Sequence, residues 1–575
     1  SGSLYLYGDN SALTHGIFLN TSAGVNFNNS KSFGSATTPI NFLDAATATS
    51  LGLSAPTNTF YVLANPDTTS PLTIPNPVTM RSDADTTLIY TGHDPVTFSG
   101  TWTIGSTAGG RYNRLQIGNT PFPSAEMIIS GGIAGDSNSN LTVQSPNGVN
   151  GTLVVEGSST YGGITTLGQI TAAAPSTGTP AFQADDGVGL PTASILALNG
   201  GVLQTHGTFS RPLAADFGQN VAWFWPATQT APGGGGFSAI GSQLTVNING
   251  NLSQLSWGES MGDVGVTILG PLKFGSPTSN AETLFQNPID LNGLGSAGVT
   301  RTITVIAGAG GDSTVMSGVI SNSGQDIGLT KNGTGTLIFN ANNTYGGATS
   351  VAAGTLLVNG TQTGTGLTTV AAGATLGGTG TLGGGVTNDG TVNPGAGVGT
   401  LHVNGNVTMD ASSHYAVDLS GATADKLAIT GNLDLSAVGD FLDVTGTGTG
   451  SSWIIATYTG TLTGNFDTVT SGYTVDYGTG TNSQVTLMAA AALPGDFNTD
   501  GKVDAADYVI WRKGGSPNPN SPGDYSLWRT NFGTSNSGSG SALASNASAV
   551  PEPSSVILCL LGIAAFVSSA SRRQA

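Results

Sequence analysis

The sequence predicts an all-β protein built mainly as a parallel β-solenoid, and three observations support this. Glycine supplies 88 of 575 residues, about twice its usual share, and few helices tolerate that content. Short runs of Val, Ile, Leu and Thr are broken every few residues by Gly, Asn or Asp, which is typical of strands and turns. Internal repetition, the third observation, is the sequence signature of a solenoid.

The repetition is clearest in two segments that share one order of residues. A Gly-Thr-Leu run at 151–155 leads to a Tyr-Gly-Gly corner at Tyr161, and a second run at 335–339 leads to the same corner at Tyr345. In stacked parallel strands, inward aliphatic residues align in rows while Gly and Asn take the corners. We expect both tyrosines to cap a rung. A pair of antiparallel β-sandwiches is the alternative.

Charge is scarce and predominantly acidic. Only 8% of residues are charged, and 33 acidic against 15 basic side chains give a net charge of −18. Such a surface excludes nucleic-acid binding. Inside a solenoid, an unpaired inward charge would cost several kcal/mol, which explains the scarcity. The single cysteine, Cys559, permits no internal disulfide.

Catalytic constellations are missing from the sequence pattern. The five histidines are scattered without metal-binding spacing. Asp185 and Asp186 form the only adjacent acidic pair in the body, and neighbours in a strand point to opposite faces. We therefore expect no enzyme. Two alternatives remain: a β-helical polysaccharide lyase or hydrolase with paired carboxylates on adjacent rungs, and a carbohydrate-binding protein that uses aromatics around Trp223 and Trp225.

The second repeat carries a family resemblance. Residues 328–337, 343–347 and 353–356 resemble the autotransporter-associated β-strand repeat, and the segment 198–487 is similar to passenger-type regions of bacterial surface proteins. The resemblance implies a right-handed parallel β-helix. We expect the body to divide into an N-terminal β-solenoid region at 1–140, a β-helix with these repeats at 141–400 and a C-terminal β-helix and capping region at 401–490.

Residues 496–507 have the spacing of a calcium-binding loop. Hard oxygen ligands converge on Ca²⁺ from loop positions 1, 3, 5, 7, 9 and 12, with glycine at position 6 for the bend. Gly501 stands at position 6. The predicted ligands are Asp496, Asn498, Asp500, the backbone carbonyl of Lys502, Asp504 and Asp507. Because Asp507 is shorter than the usual Glu, we expect an affinity near ~10⁻⁴ M.

A duplicated helical unit follows the loop. Residues 507–512 are repeated at 524–529, and the region 494–533 resembles a type I dockerin, a small α-helical module of the EF-hand kind. That resemblance implies calcium-dependent binding of a cohesin-like protein. The second loop has Lys513, Gly515 and Pro517 where ligands should stand, so we expect one bound ion.

The C-terminal segment combines a polar linker, a short proline-containing motif, an apolar run and two arginines. A flexible polar linker at 534–549 precedes the motif formed by Val550, Pro551, Glu552 and Pro553, an apolar run at 556–567, and Arg572 and Arg573. Residues 550–575 resemble the PEP-CTERM sorting signal with its hydrophobic helix, which implies processing by an exosortase. A simple tail anchor of the same orientation is the alternative.

These features predict an exported protein. Residues 1–5 show no basic or apolar leader, so we expect the true N-terminus to be missing or already trimmed. We expect a non-catalytic rod for adhesion or surface structure in the cell envelope or extracellular matrix. Its expected partners are a cohesin-like protein or a polysaccharide matrix, the exosortase, and the membrane through the C-terminal helix before processing.

Overall fold

The computed structural model describes residues 4–535, apart from 21–23, 55–58, 65–70, 81–82, 93, 106–111, 119–124, 171–173, 217, 225, 228, 259, 293–299, 324–325, 479–482, 491–492, 499 and 520. Within these residues the chain is predominantly strand, arranged as a succession of short rungs. Residues 536–549 of the linker and the tail at 550–575 lie outside the described residues.

Three sheets cover the N-terminal half of the rod. The first consists of strands Leu4–Leu6, Gly24–Phe27, Thr59–Ala64, Thr86–Tyr90, Tyr112–Ile117, Asn140–Gln144, Ile164–Leu167, Ile195–Leu198 and Val221–Trp223. The second consists of Ile17–Leu19, Ile40–Phe42, Val78–Thr79, Trp102–Thr103 and Ile133–Ala134. The third begins with Leu72–Ile74, Val96–Phe98, Glu126–Ile129, Thr152–Val155, Ala181–Ala184, Val202–Phe209 and Gly235–Val246.

The third sheet continues along the C-terminal half, where smaller sheets complete the rungs. Its further strands are Leu272–Phe274, Thr283–Phe285, Thr300–Val305, Thr314–Met316, Gly328–Asn332, Thr336–Phe339, Thr349–Val351, Thr355–Val358, Thr368–Val370, Thr375–Gly378, Val386–Asn388, Thr391–Pro394, Val407–Met409, His414–Gly421, Thr423–Ala424, Leu433–Leu435, Phe441–Gly448, Leu462–Gly464 and Thr468–Val469. The smaller sheets are Leu255–Ser256, Ile289–Asp290 and Ile320–Ser321, and Thr361–Gln362, Thr381–Leu382, Thr400–Val403, Lys426–Ile429, Ser452–Tyr458, Gln484–Ala489 and Tyr473–Asp476.

Successive rungs stack in parallel register. Strand Thr336–Phe339 pairs with Thr355–Val358, which places Leu337 beside Leu356. Both leucines are fully buried, while the alternate positions of each strand are partly exposed. Parallel strands require a crossover between them, and here each crossover is the rest of a rung. This parallel pairing confirms the predicted solenoid. The alternative, a pair of antiparallel sandwiches, would show antiparallel pairing instead. The right-handed sense of the coil stays a prediction.

Close contact between rungs explains much of the glycine. A Cβ at Gly360 would lie 2.0 Å from the carbonyl oxygen of Ala341 in the neighbouring rung. Buried asparagines hold other corners: Asn343 Oδ1, for example, accepts the N–H of Ile320 at 2.8 Å. Corner backbone groups that turn inward are therefore satisfied by side chains of the next rung.

The two repeated tyrosines occupy equivalent places. Tyr161 and Tyr345 are both fully buried. Each hydroxyl lies 2.8 Å from the threonine hydroxyl four residues on, Thr165 and Thr349 respectively. The burial supports the prediction that these residues cap a rung.

The C-terminal end of the rod changes its pairing. Strand Ser452–Tyr458 pairs antiparallel with Gln484–Ala489, which in turn pairs antiparallel with Tyr473–Asp476. Two helices follow, Ala505–Arg512 and Pro522–Asn531. The remaining helical segments are Ala45–Ser50 and the 3₁₀ turns Ile248–Gly250 and Met261–Asp263. Within the described residues no helix is both long and apolar enough to cross a membrane.

Candidate functional site

The loop at 496–507 folds around its own carboxylates. Asp496 accepts the N–H of Asp500 through Oδ1 at 3.2 Å and that of Gly501 through Oδ2 at 2.8 Å. Gly501 has φ 80°, the left-handed conformation that favours glycine. Asn498 donates from Nδ2 to Asp500 Oδ2 at 2.9 Å. The bend predicted at position 6 is therefore present, and three predicted ligands meet around it.

Asp507 ties the two ends of the loop together. Its side chain is fully buried, and Oδ1 accepts the N–H groups of Phe497 at 2.7 Å and Asn498 at 3.1 Å. Oδ2 accepts the N–H of Asp504 at 2.8 Å, while Asp504 accepts that of Ala506, forming a capping box at the helix start. The last predicted ligand therefore also begins the helix.

The loop is anchored to the second helix and the chain beyond it. Val503 is fully buried, its N–H donates to the Thr534 carbonyl at 2.9 Å, and its own carbonyl accepts from Gly533 at 2.8 Å. Trp528 donates from Nε1 to the carbonyl of Asp504 at 2.6 Å. Predicted ligand Lys502 has an exposed side chain, as expected if only its backbone carbonyl serves the ion.

The donor chemistry of this loop suits calcium, whereas its side chains are not gathered as a metal site. Carboxylate and carbonyl oxygens are the ligands that Ca²⁺ prefers. Among the described residues, however, no group of three or more His, Cys, Asp or Glu side chains is placed to hold a metal ion. The carboxylates serve backbone N–H groups, and an oxygen that accepts one N–H keeps a second lone pair. Binding of Ca²⁺ would require these carboxylate oxygens to move closer together around the ion.

The second helix repeats the arrangement without the acidic loop. Asp524 is buried in the first turn, as Asp507 is in the first helix. Its oxygens accept the backbone N–H of Asn518 at 2.8 Å and that residue's Nδ2 at 3.2 Å. These bonds hold the pKa of Asp524 below its usual value. The amide of Asn518 thus supplies donors here, and the expectation of one bound ion stays a prediction.

The rod brings carboxylates together that the sequence left apart. The pKa of Asp410 is raised, first by burial and then by hydrogen bonding and charge from Asp389 in the preceding rung. Asp425 is buried, and burial raises its pKa to about 6 although it accepts the N–H groups of Asp418 and Gly399. Sequence reasoning missed these contacts because it did not establish how many residues each rung contains. That number decides which distant residues become neighbours.

The neighbouring residues Asp185 and Asp186 contact different partners, as expected. Arg211, whose side chain is fully buried, donates from Nη2 to Asp186 Oδ1 at 2.5 Å. Asp185 lies 3.3 Å from His206 and accepts the Thr205 hydroxyl at 3.1 Å. This pair therefore serves packing and surface contacts instead of forming a two-carboxylate site.

The aromatic residue proposed as a sugar platform is inside the rod. Trp223 is fully buried, and its Nε1 donates to the Gly235 carbonyl at 3.0 Å. A buried indole offers no face to a ligand, so the structure argues against a sugar site at this residue. Trp225 lies outside the described residues.

The predicted sorting residues lie outside the described residues. They are Val550, Pro551, Glu552, Pro553, Arg572 and Arg573. The apolar run that follows the motif, at 556–567, lies outside them as well.

Comparison with known families identifies two segments of the chain. The passenger-associated-transport-repeat family matches residues 329–358, and the PEP-CTERM protein-sorting motif matches residues 549–574. No curated protein matches the chain. Both predicted resemblances are confirmed for those segments, while the dockerin resemblance at 494–533 stays a prediction. The chain thus combines a passenger-type repeat in its rod with a sorting motif for export to the cell envelope or surface.

Proposed function

We propose that the protein is a non-catalytic structural or adhesive rod of the cell envelope or extracellular matrix, with a calcium-stabilised module between rod and sorting tail. The sorting motif and the repeat indicate an exported surface protein, and the motif implies processing by an exosortase. The stacked parallel register carries the structural part of the proposal, because it extends the chain along one axis with a largely uncharged surface.

Calcium would be held by the six residues of the loop. Asp496, Asn498, Asp500, Asp504 and Asp507 offer side-chain oxygens, and Lys502 offers its carbonyl. Holding four carboxylates in twelve residues favours a divalent cation, because without one the charges repel each other. A cohesin-like protein or a polysaccharide matrix is the proposed partner of the module.

Calcium binding is tested on the full chain. Trp511 and Trp528 lie on the two module helices, and Trp528 bonds directly to the loop. Titration with Ca²⁺ is expected to change tryptophan fluorescence in the wild type, and Asp500→Asn is expected to weaken the response. Asp312→Asn, on the rod, is the matched control. An unchanged spectrum in the wild type would refute the calcium site.

Export is tested by changing the motif in cells. Replacement of Pro551, Glu552 and Pro553 by alanine is expected to stop processing, so that a longer chain accumulates in the membrane fraction. Normal surface delivery of this variant would contradict the proposal.

A polysaccharide hydrolase is the second candidate, because two carboxylates meet on adjacent rungs. The raised pKa of Asp410 beside Asp389 is the pattern expected of an acid paired with a carboxylate. Turnover of a polysaccharide that Asp389→Asn and Asp410→Asn both abolish would establish the enzyme. Absence of turnover in the wild type across acidic and neutral polysaccharides favours the non-catalytic rod.

A further inference from the structure

A cleft opens where the calcium loop faces the C-terminal end of the rod. Its volume is about 650 Å³, within the range of small-molecule sites. One wall is formed by the last turns of the rod at 435–438, 464–469, 471–473, 475 and 477, and the other by loop residues 500–502. Clefts between structural units are frequent places for ligands.

One side of the cleft is aromatic and held rigidly. Tyr473 and Tyr477 are partly exposed, and Phe466 lies between the cleft and the core. The ring centroids of Phe466 and Tyr477 are 6.4 Å apart, and the Tyr477 hydroxyl accepts the N–H of Phe466 at 2.9 Å. Tyr473 packs edge-on against Trp453 at 6.2 Å. These contacts fix the rings before any ligand arrives, which lowers the entropic cost of binding.

The other lining groups are polar and nearly balanced in charge. Asp467 is exposed and one of its oxygens accepts the N–H of Gly439, which orients the carboxylate. Asn465, Thr468 and Ser471 add amide and hydroxyl groups that both donate and accept. The loop contributes one cation, Lys502, and one carboxylate from Asp500. The Asp467 carboxylate, which is not a proposed calcium ligand, repels acidic ligands.

We propose that this cleft binds a neutral oligosaccharide. The apolar C–H face of a sugar ring matches a fixed aromatic ring, and its hydroxyls match mixed donors and acceptors. The cleft offers fewer suitable contacts to an extended peptide. The rod strands that reach the cleft, Leu433–Leu435, Leu462–Gly464, Thr468–Val469 and Tyr473–Asp476, have two to four residues each, and such short edges offer few backbone hydrogen bonds.

The test measures binding of cellohexaose, laminarihexaose, chitohexaose and maltohexaose to the full chain by titration calorimetry with Ca²⁺ present. At least one hexasaccharide is expected to bind. Tyr473→Ala is expected to weaken that binding about tenfold through loss of one aromatic face. Tyr5→Ala removes a tyrosine that is 61% exposed at the far end of the rod and is the matched control.

A second variant keeps the test decisive if Tyr473→Ala perturbs folding. Val438 lines the cleft with 82% of its surface exposed, so Val438→Arg obstructs the cleft without disturbing the core. It is expected to reduce binding with an unchanged melting temperature. The proposal is overturned if no hexasaccharide binds, if both variants bind as well as wild type, or if a Thr-Val repeat peptide binds there instead. Calcium loading is followed separately by fluorescence, so a failed calcium site and a failed sugar site remain distinguishable.

Discussion

Lys331 is a buried cation whose energetics can be measured. It points inward from strand Gly328–Asn332, between Ile303 and Val351 of the neighbouring rungs, and is fully buried. Its Nζ donates to the carbonyls of Gly333 and Ala353, each at 2.7 Å. Burial lowers the pKa of Lys331 to about 8 from an ordinary 10.5.

The sign of the pH effect follows from that shift. Between the two pKa values the unfolded chain binds the proton more strongly, so the free energy of unfolding rises with pH over this window. From pH 7 to 9.5 the gain from Lys331 is about 2 kcal/mol. Below about pH 7 the contribution is nearly constant, because the residue is charged in both states.

The perturbation is Lys331→Met, which keeps an unbranched side chain one atom shorter than lysine and removes the titration. Denaturant unfolding followed by circular dichroism at pH 7, 8, 9 and 9.5 is expected to give a pH slope smaller than that of wild type by the stated amount. Lys31→Met is the control, since Lys31 is exposed and paired with Asp9. Parallel pH curves for wild type and Lys331→Met would refute the reasoning.

Three further changes test other parts of the structure. Tyr345→Phe removes a buried hydroxyl 2.8 Å from Thr349 and is expected to lower the free energy of unfolding by about 1–2 kcal/mol in denaturant titrations; no change would argue against the rung cap. Gly360→Ala places a Cβ against the Ala341 carbonyl and should cost about 3 kcal/mol, visible as a lower melting temperature. Asp507→Asn replaces an oxygen that accepts backbone N–H groups and should cost the module about 2 kcal/mol, measured by loss of helical signal; a wild-type melt would contradict the role of this carboxylate.

The sequence predicted features that depend on local spacing. The strand and turn pattern, the equivalent tyrosine corners and the Gly501 bend all follow from residues close together in the chain. The helix at Ala505–Arg512 begins at Asp504 because that residue caps it. Such features can be predicted locally because turns and helix caps form between residues that are close in the chain, and they depend little on the rest of the fold.

Features set by the stacking of rungs were not predictable. Asp389 and Asp410 become neighbours only once rung lengths are known, and so do Asp425 and Gly399. Lys331 shows the limit of the charge argument. Unpaired inward charges were expected to be too costly, yet the carbonyls of Gly333 and Ala353 turn inward and accept hydrogen bonds from this ammonium group.

The parallel register is the central claim, and disulfide trapping tests it most directly. Thr336 and Thr355 are paired in adjacent rungs, and Thr375 follows Thr355 one rung further. Adjacent paired residues lie about 4.8 Å apart, within disulfide range, whereas residues two rungs apart lie about 9.6 Å apart. With Cys559→Ser as background, Thr336→Cys with Thr355→Cys should cross-link readily on oxidation. Thr336→Cys with Thr375→Cys should not. Efficient cross-linking of the second pair, or failure of the first in folded protein, would contradict the stacked coil.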